Sequence, residues 1–178
     1  MRASRNLGRR LRAGADHAPM TPAGKPTPRT REDGVGTDSK ANVICGGCLC
    51  GAVRFDATRP SKFCAHCHCS NCRRAHGAAF VTWVGFEREQ FRFVSGEEQV
   101  TRYQTDTDAI RSFCNVCGST MLYESPRWPG DVHIALAHLE NEVDQSPSLH
   151  VYVDHRADWW EINDSLPQLG GETGVEKK

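Results

Sequence analysis

The chain has 178 residues, and its 22 basic and 22 acidic side chains give a formal net charge of zero at neutral pH. This length is enough for one domain with a core of its own. No apolar stretch approaches the roughly 18 residues that a membrane-spanning helix needs, so the sequence predicts no membrane span.

The first forty residues differ in composition from the rest of the chain. They are rich in Arg, Pro, Thr, Gly and Ala, and they carry nine basic against four acidic side chains. Such a segment buries too little apolar surface to offset its chain entropy, so we predict a disordered basic extension at 1–40. Two alternatives stay open. Translation can begin at Met20 or later, or the five arginines before residue 15 can belong to a transit peptide.

The remaining residues, 41–178, have the opposite charge balance, with thirteen basic and eighteen acidic side chains. An acidic domain without a Lys/Arg cluster is atypical of nucleic-acid binding, because phosphate neutralisation dominates that affinity. The sequence therefore predicts no nucleic-acid partner and no membrane, and it leaves protein partners and the oligomeric state open. We expect a folded domain at 41–167 and a flexible polar tail at 168–178.

Short apolar segments separated by turn signals follow from Val43 onward, which predicts a mainly β domain of the sandwich or barrel kind. The predicted strands cover residues 52–57, 78–86, 91–94, 100–104, 110–113, 120–123, 132–138 and 149–153. The turn signal at 95–98 predicts a hairpin between the strands on either side of it. One helical turn is expected after Cys69.

Nine cysteines lie in three short runs. They are Cys45, Cys48 and Cys50, then Cys64, Cys67, Cys69 and Cys72, and finally Cys114 and Cys117. Cys-x-Cys and Cys-x-x-Cys spacings suit zinc, whereas disulfides across such short loops are geometrically awkward. Thiols kept as metal ligands also favour a reducing compartment, and we expect a cytoplasmic protein.

The number of cysteines raises the question of an incomplete metal site. If Cys48 and Cys50 join Cys114 and Cys117, one four-sulfur site closes. The three-sulfur set at Cys67, Cys69 and Cys72 then remains. Three protein ligands with one open position are typical of catalytic zinc, while four are typical of structural zinc.

Together, these motifs resemble the glutathione-dependent formaldehyde-activating enzyme family, also called the centromere protein V/Gfa domain. The matching segments are 47–55 (GCLCGAVRF), 67–74 (CHCSNCRR) and 111–119 (RSFCNVCGS), together with Gly77, Ala78, Trp83, Pro147, His150 and Trp159. The resemblance extends from about Gly46 to Leu166 and keeps the order and spacing of the motifs.

This resemblance implies an Mss4-like β-tent of short antiparallel strands built around two zinc ions. It assigns the structural ion to Cys48, Cys50, Cys114 and Cys117. It assigns the ion associated with activity to Cys67, Cys69 and Cys72, which are therefore the candidate catalytic residues. The reaction that gives the family its name adds glutathione to formaldehyde and yields S-(hydroxymethyl)glutathione, and it is classed with the carbon–sulfur lyases. The expected substrates are a glutathione-like thiol and a small aldehyde.

Other residues have more than one possible role. Cys64, His66 or His68 can supply a fourth ligand to the second zinc, and Cys45 is expected to be a spare thiol.

The basic residues near the cysteines also have candidate roles. Arg73 and Arg74 are candidates for binding the carboxylates of a glutathione-like thiol. His76 is a candidate proton relay or a solvated side chain. Arg111 is expected to steady the knuckle at Cys114.

Two further functions compete with the enzyme. One is a non-catalytic, zinc-stabilised protein-interaction module of the same fold. The other is a thiol redox protein, although its Cys-x-x-Cys motif is expected at a helix start in a βαβ unit, and this chain shows strands instead.

Overall fold

The computed structural model describes residues 42–177, so the predicted extension at 1–40 lies outside the described residues. Within this range the chain forms twelve strands and one α-helix. The strands are β1 (Val43–Gly47), β2 (Arg54–Thr58), β3 (Phe63–Cys67), β4 (Val81–Glu87), β5 (Phe91–Ser95), β6 (Val100–Gln104), β7 (Ile110–Cys114), β8 (Thr120–Ser125), β9 (Trp128–Ala135), β10 (His150–Val151), β11 (Leu169–Gly170) and β12 (Glu176–Lys177), and the helix is α1 (Ser70–His76). Residues 42–177 form no helix that is both long and apolar enough to cross a lipid bilayer.

The strands form three sheets. A three-stranded sheet has the order β1-β2-β5, a seven-stranded sheet has the order β10-β3-β4-β9-β8-β7-β6, and β11 pairs with β12. Neighbouring strands are antiparallel except for β10, which pairs in parallel with β3. This arrangement confirms the predicted mainly β architecture of short antiparallel strands.

The predicted hairpin between β5 and β6 is wrong. β5 pairs with β2 in the small sheet, whereas β6 pairs with β7 in the large sheet. The turn signal is real, because Gly96 adopts a φ of 72° there. However, the turn sends the chain from one sheet into the other, where each strand finds a more distant partner.

Most of the apolar core lies between the small sheet and the inner strands of the large one. Its largest fully buried side chains include Ile44 and Phe55 from the small sheet and Phe86, Met121 and Ile134 from the large one. Burying a side chain of this size stabilises the fold by about 1.5–3 kcal/mol. A second cluster, around Trp83 and Val81, also contains Cys67 and Cys72. The packing therefore holds one group of cysteines against each cluster.

The segment 63–77 carries the second run of cysteines. Strand β3, which the sequence did not predict, ends at Cys67. Cys69 then caps α1, because its sulfur accepts a hydrogen bond from the backbone N–H of Cys72 at 3.2 Å. The helix ends at Gly77, whose left-handed φ of 60° favours glycine. The helical turn predicted after Cys69 is therefore present, and it spans seven residues.

The end of the chain differs from the flexible tail that the sequence predicts. Strands β11 and β12 form a short hairpin. The backbone N–H of Tyr152 donates to the carbonyl of Gly174 at 2.7 Å, and Arg127 donates to the carbonyl of Thr173 at 2.6 Å. The prediction of a flexible tail rested on polar composition alone, whereas these hydrogen bonds hold the segment against the domain.

Candidate metal centres and the adjoining cavity

The first group of thiols forms a closed four-sulfur arrangement. The sulfur atoms of Cys48, Cys50, Cys114 and Cys117 all lie within 4.8 Å of one another. Cys48 and Cys50 are 3.5 Å apart, and Cys50 and Cys114 are 3.9 Å apart. A tetrahedral zinc site with bonds of 2.3 Å places its sulfurs about 3.8 Å apart. The donor type and spacing therefore fit a structural zinc ion.

Tight turns and backbone N–H groups position these sulfurs. Gly51 and Gly118 have φ values of 77° and 76°, and each donates its N–H back to the carbonyl of a ligand cysteine, Cys48 and Cys114 respectively. The N–H of Val53 also donates to the sulfur of Cys48 at 3.2 Å. Such contacts orient a thiolate and offset its charge.

His138 connects the two strands that lead to and from this group. Its ring nitrogens lie 3.0 Å from the carbonyl oxygens of Gly47 and Thr120. Although the sequence predicted His138 at the end of a strand, it lies in a 3-10 turn after β9. From there it holds the strand end before Cys48 close to the strand that follows the third cysteine run.

One thiol of this group, that of Cys117, has a lowered pKa. Burial raises the pKa of Cys117, but hydrogen bonds from the side chain and backbone of Ser119 outweigh burial and lower the pKa to about 6. A thiolate is the form that binds metal, so this hydrogen bonding favours zinc at neutral pH.

The second group contains three sulfurs. Cys67 at the end of β3, Cys69 at the helix cap and Cys72 in α1 have sulfur atoms within 4.8 Å of one another. Cys67 and Cys72 are 3.7 Å apart. This spacing also fits tetrahedral zinc, with three corners occupied.

No fourth His, Cys, Asp or Glu joins this group within residues 42–177. Cys64 lies on the opposite face of β3, fully buried in the main core, because side chains alternate along a strand. His66 instead contacts the hydroxyl of Thr82 at 2.8 Å, and His68 contacts His150 at 2.8 Å. Each of the three residues considered as a fourth ligand therefore contacts other groups and does not join the three thiols. Cys45 is likewise outside both groups.

Arg111 lies at the second cysteine group, so the prediction that it steadies the knuckle at Cys114 is wrong. Its Nη2 donates to the sulfur of Cys72 at 3.5 Å, and its guanidinium lies 5.0 Å from the ring centre of Tyr123. The side chain is buried, and Nη1 has no hydrogen-bond partner. Alternation along β7 explains the difference, because Arg111 and Cys114 are three residues apart and point to opposite faces.

The thiols of this group differ in pKa. Hydrogen bonds from Cys67 and Cys69, reinforced by the positive charge of Arg111, lower the pKa of Cys72. Hydrogen bonding to Cys69 and Cys72, together with burial, raises the pKa of Cys67. The buried cation thus favours negative charge on Cys72.

A cavity of about 630 Å³ opens beside these three thiols. Its walls include five aromatic side chains, namely Phe63, Trp83, Tyr123, Trp128 and Tyr152. Leu169 and Val175 of the C-terminal hairpin also line it. The volume is typical of a small-molecule site. Trp83 is buried and also forms part of this wall.

The other predicted site residues lie away from the cavity. Arg73, Arg74 and His76 are not among its lining residues. Arg73 is half-buried, and Arg74 is exposed at the surface. His76 packs edge-on against Trp83 with ring centres 5.3 Å apart, and burial lowers its pKa to about 4. The lining cations are instead Arg111, Lys62 and Arg127, which the sequence did not single out as substrate ligands.

Comparison with known proteins gives a consistent result. The family model described as "Glutathione-dependent formaldehyde-activating enzyme" matches residues 43–155. A protein of Halomonas elongata, provisionally named a glutathione-dependent formaldehyde-activating enzyme, is 31% identical over 128 residues, which cover 67% of this chain and 81% of that protein.

Two further relatives match shorter parts of the chain. A Schizosaccharomyces pombe protein named as an uncharacterized lyase is 33% identical over 78 residues, covering 44% of this chain and 55% of that protein. The crystal structure of a Rhodobacter sphaeroides protein has a TM-score of 0.49 and 30% identity, covering 56% of this chain and 91% of that chain.

Proposed function

Because the chain belongs to the glutathione-dependent formaldehyde-activating enzyme family, we propose that it is a zinc-dependent carbon–sulfur lyase. It joins a low-molecular-weight thiol, such as glutathione, to formaldehyde or another small aldehyde, and it splits the product in the reverse direction. The observation that supports this function most is the three-thiol group of Cys67, Cys69 and Cys72, which lines a cavity large enough for a small molecule.

The residues present fit zinc in both groups, by donor type and by sulfur spacing. Cys48, Cys50, Cys114 and Cys117 would hold a structural ion. Cys67, Cys69 and Cys72 would hold the second ion, which would lower the pKa of a bound substrate thiol and so favour its thiolate near neutral pH.

Arg111 has the position needed to stabilise the charge that develops on the substrate. As the thiolate sulfur bonds to the carbonyl carbon, the π electrons of the C=O bond move to oxygen. Arg111 lines the cavity beside Cys72, and its Nη1, which has no hydrogen-bond partner, would donate a hydrogen bond to this alkoxide. Water then protonates the alkoxide and completes the hemithioacetal. In reverse, the hydroxyl loses its proton and the carbon–sulfur bond breaks.

The same guanidinium has a second effect on the site. Through Nη2 it holds Cys72 and offsets the negative charge of three clustered thiolates. One buried cation would therefore serve both the ligand set, through Cys72, and the substrate oxygen. The role of Arg73 and Arg74 in binding carboxylates stays a prediction, and neither residue lines the cavity.

The setting that we propose is the reducing cytoplasm. All nine cysteines are free thiols in the structure. Seven of them belong to the two groups, which need reduced sulfur to bind metal.

A non-catalytic interaction module is the second candidate function, and one observation favours it. Leu49 and Val116, which lie between the paired cysteines of the first group, are 86% and 57% exposed. Apolar side chains at the tips of two zinc knuckles are suited to contact another protein.

A measurement of thiol–aldehyde exchange separates these functions. Zinc-loaded protein is added to glutathione and formaldehyde, and the exchange rate between free and hydroxymethylated thiol is measured by NMR against the uncatalysed rate. The proposed lyase should accelerate exchange for at least one of the thiols tested, and Cys69→Ser should abolish this acceleration while Cys45→Ser keeps it. If the exchange rate never exceeds the uncatalysed rate, with this thiol or with others of different size, the enzyme is contradicted and the interaction module is favoured.

A further inference from the structure

We propose that the thiol for which this cavity is built has an aromatic or apolar body, and that glutathione is a poor fit. This inference rests on the proposed function, because it concerns the substrate of the same site. It follows from the size of the cavity, from the partners of its charged residues and from the position of its unpaired polar atoms.

The cavity is far larger than the reacting atoms require. Formaldehyde and a thiol group together contain only a few heavy atoms, whereas about 630 Å³ is available. Most of this space is bounded by aromatic rings and by aliphatic side chains such as Leu149 and Val151. An apolar substrate gains binding free energy by burying its surface against apolar walls, and aromatic walls add ring-stacking contacts.

The charged residues of the walls are largely engaged with one another. Lys62 contacts the carboxylates of Glu87 and Asp131 at 2.8 and 2.5 Å. Asp131 itself lines the cavity, and its negative charge offsets the positive charge of Lys62 there. Glutathione carries a carboxylate at each end and an ammonium group, whereas Lys62 and Arg127 already have protein partners, so its charged groups would lose water for little gain here.

Arg127 stabilises the cavity wall through contacts with other protein groups. Its Nη1 donates to the hydroxyl of Tyr152 at 2.9 Å and its Nη2 to the carbonyl of Thr173 at 2.6 Å. The guanidinium also lies over the rings of Trp128 and Tyr152. It thereby fixes two aromatic rings and the C-terminal hairpin around the cavity.

The unpaired polar atoms belong to residues beside the cysteines. Nη1 of Arg111 and Nε2 of His133 are buried, have no hydrogen-bond partner and belong to residues that line the cavity. Arg111 also touches Cys72, and His133 packs at 5.6 Å from the same Tyr123 ring that Arg111 covers. A substrate with its oxygen next to the sulfur and an apolar body beyond it would place the oxygen beside Arg111 and the body against the apolar walls.

Calorimetric binding of two thiols to the zinc-loaded protein tests this inference. The probes are phenylmethanethiol and glutathione, with 2-mercaptoethanol as a small thiol that reports the sulfur contact alone. We expect phenylmethanethiol to bind at least about tenfold more tightly than either of the others, the effect of roughly 1.4 kcal/mol of extra contact. Cys69→Ser should remove the binding, which places it at the second group.

Two tryptophan variants form a matched pair. Trp128→Ala removes an aromatic wall and should weaken phenylmethanethiol about tenfold while leaving 2-mercaptoethanol unchanged. Trp159→Ala, at a residue that is 69% exposed and does not line the cavity, should leave both thiols unchanged.

The outcomes distinguish this inference from the proposed function. Glutathione binding as tightly as phenylmethanethiol, or equal losses in the two tryptophan variants, overturns the inference and leaves the lyase in place. Tight phenylmethanethiol binding without any acceleration of aldehyde exchange supports the inference and overturns the lyase. Absence of phenylmethanethiol binding overturns the inference whatever the exchange rate.

Discussion

His68 and His150 are joined by a hydrogen bond of 2.8 Å between Nε2 of the first and Nδ1 of the second. His150 also contacts both carboxylate oxygens of Asp164 at 3.0 Å through its Nε2. The Nε2–H of His150 donates to the carboxylate, so its Nδ1 accepts from the Nε2–H of His68. Burial lowers the pKa of His68 to about 4, which keeps that ring neutral. This series of hydrogen bonds holds His68 in place between Cys67 and Cys69.

His150→Phe should weaken zinc binding at the second group. The change leaves the buried Nε2–H of His68 without a partner, which costs about 1–3 kcal/mol. We expect zinc to leave the three-thiol group about tenfold faster, as for other residues that orient a ligand segment. Chelator competition measures both release phases, and the slower phase of the four-thiol group should not change. His155→Phe, at an exposed histidine, is the control. Identical release curves for the two variants would contradict this role.

The two cysteine groups should contribute unequally to stability. Cys114 is fully buried in the main core, so Cys114→Ser should lower the melting temperature strongly. Loss of a structural zinc ligand removes folding free energy directly. Cys69→Ser should release one zinc equivalent with a much smaller change in melting temperature, because Cys69 is only partly buried. Metal analysis and thermal denaturation measure both effects. Equal losses of stability would show that the second group is also structural.

Arg111→Met should lower the rate of catalysed thiol–aldehyde exchange about 100-fold, the effect of losing one donor to a developing oxyanion. Arg111→Lys should recover part of the rate, because it restores the positive charge without the second N–H. Binding of phenylmethanethiol should change much less than the rate in both variants. Arg102→Met, at an exposed arginine paired with Glu97, is the control. A fully active Arg111→Met protein would remove Arg111 from the mechanism.

Gly174→Ala should displace the C-terminal hairpin. A Cβ at this position would lie 2.1 Å from a ring carbon of Tyr152, and the φ of 77° is unfavourable for alanine as well. Gly130→Ala is a matched control, because its φ is 82° but nothing lies within 4 Å of the added carbon. Both variants lose about 1–2 kcal/mol from the backbone conformation. Only Gly174→Ala should also weaken phenylmethanethiol binding, as measured by calorimetry.

His133 should make the protein less stable in acid. Burial lowers its pKa to about 4 from an ordinary value of 6.5. Between these two values the unfolded chain binds more protons than the folded one, so the free energy of unfolding decreases as the pH falls. The contribution is about 1–3 kcal/mol at most. Urea denaturation at pH 7.5 and 4.5 should show a smaller pH dependence for His133→Gln than for the unchanged protein. Parallel dependences would contradict the prediction.

The sequence predicted the class of fold because the short strands and the cysteine runs are local features. Strand pairing is not local. The turn after β5 gives the same signal whether the next strand returns to the same sheet or enters another, and this is why the β5–β6 hairpin is wrong. Strand β3 escaped prediction because Phe63 is followed by Cys, Ala and His, which give no clear alternation of apolar and polar residues.

The cysteines of the site were accessible from spacing, but its cation was not. Arg73 and Arg74 adjoin Cys72 in the sequence, yet the helix directs neither of them into the cavity. Arg111 is 39 residues from Cys72 along the chain, and only the pairing of sheet strands brings them together. The odd separation between Arg111 and Cys114 along β7 was the available sign that Arg111 faces away from the nearer knuckle.

The family match ends at residue 155, whereas Leu169 and Val175 of the cavity wall come later in the chain. Two proteins can thus share every cysteine motif and still differ in the shape offered to the substrate. Selection for a new substrate can act on the last few residues of the chain without disturbing either cysteine group. Substrate preference within this family should therefore be compared through the C-terminal segments as well as through the aromatic wall residues inside the matched range.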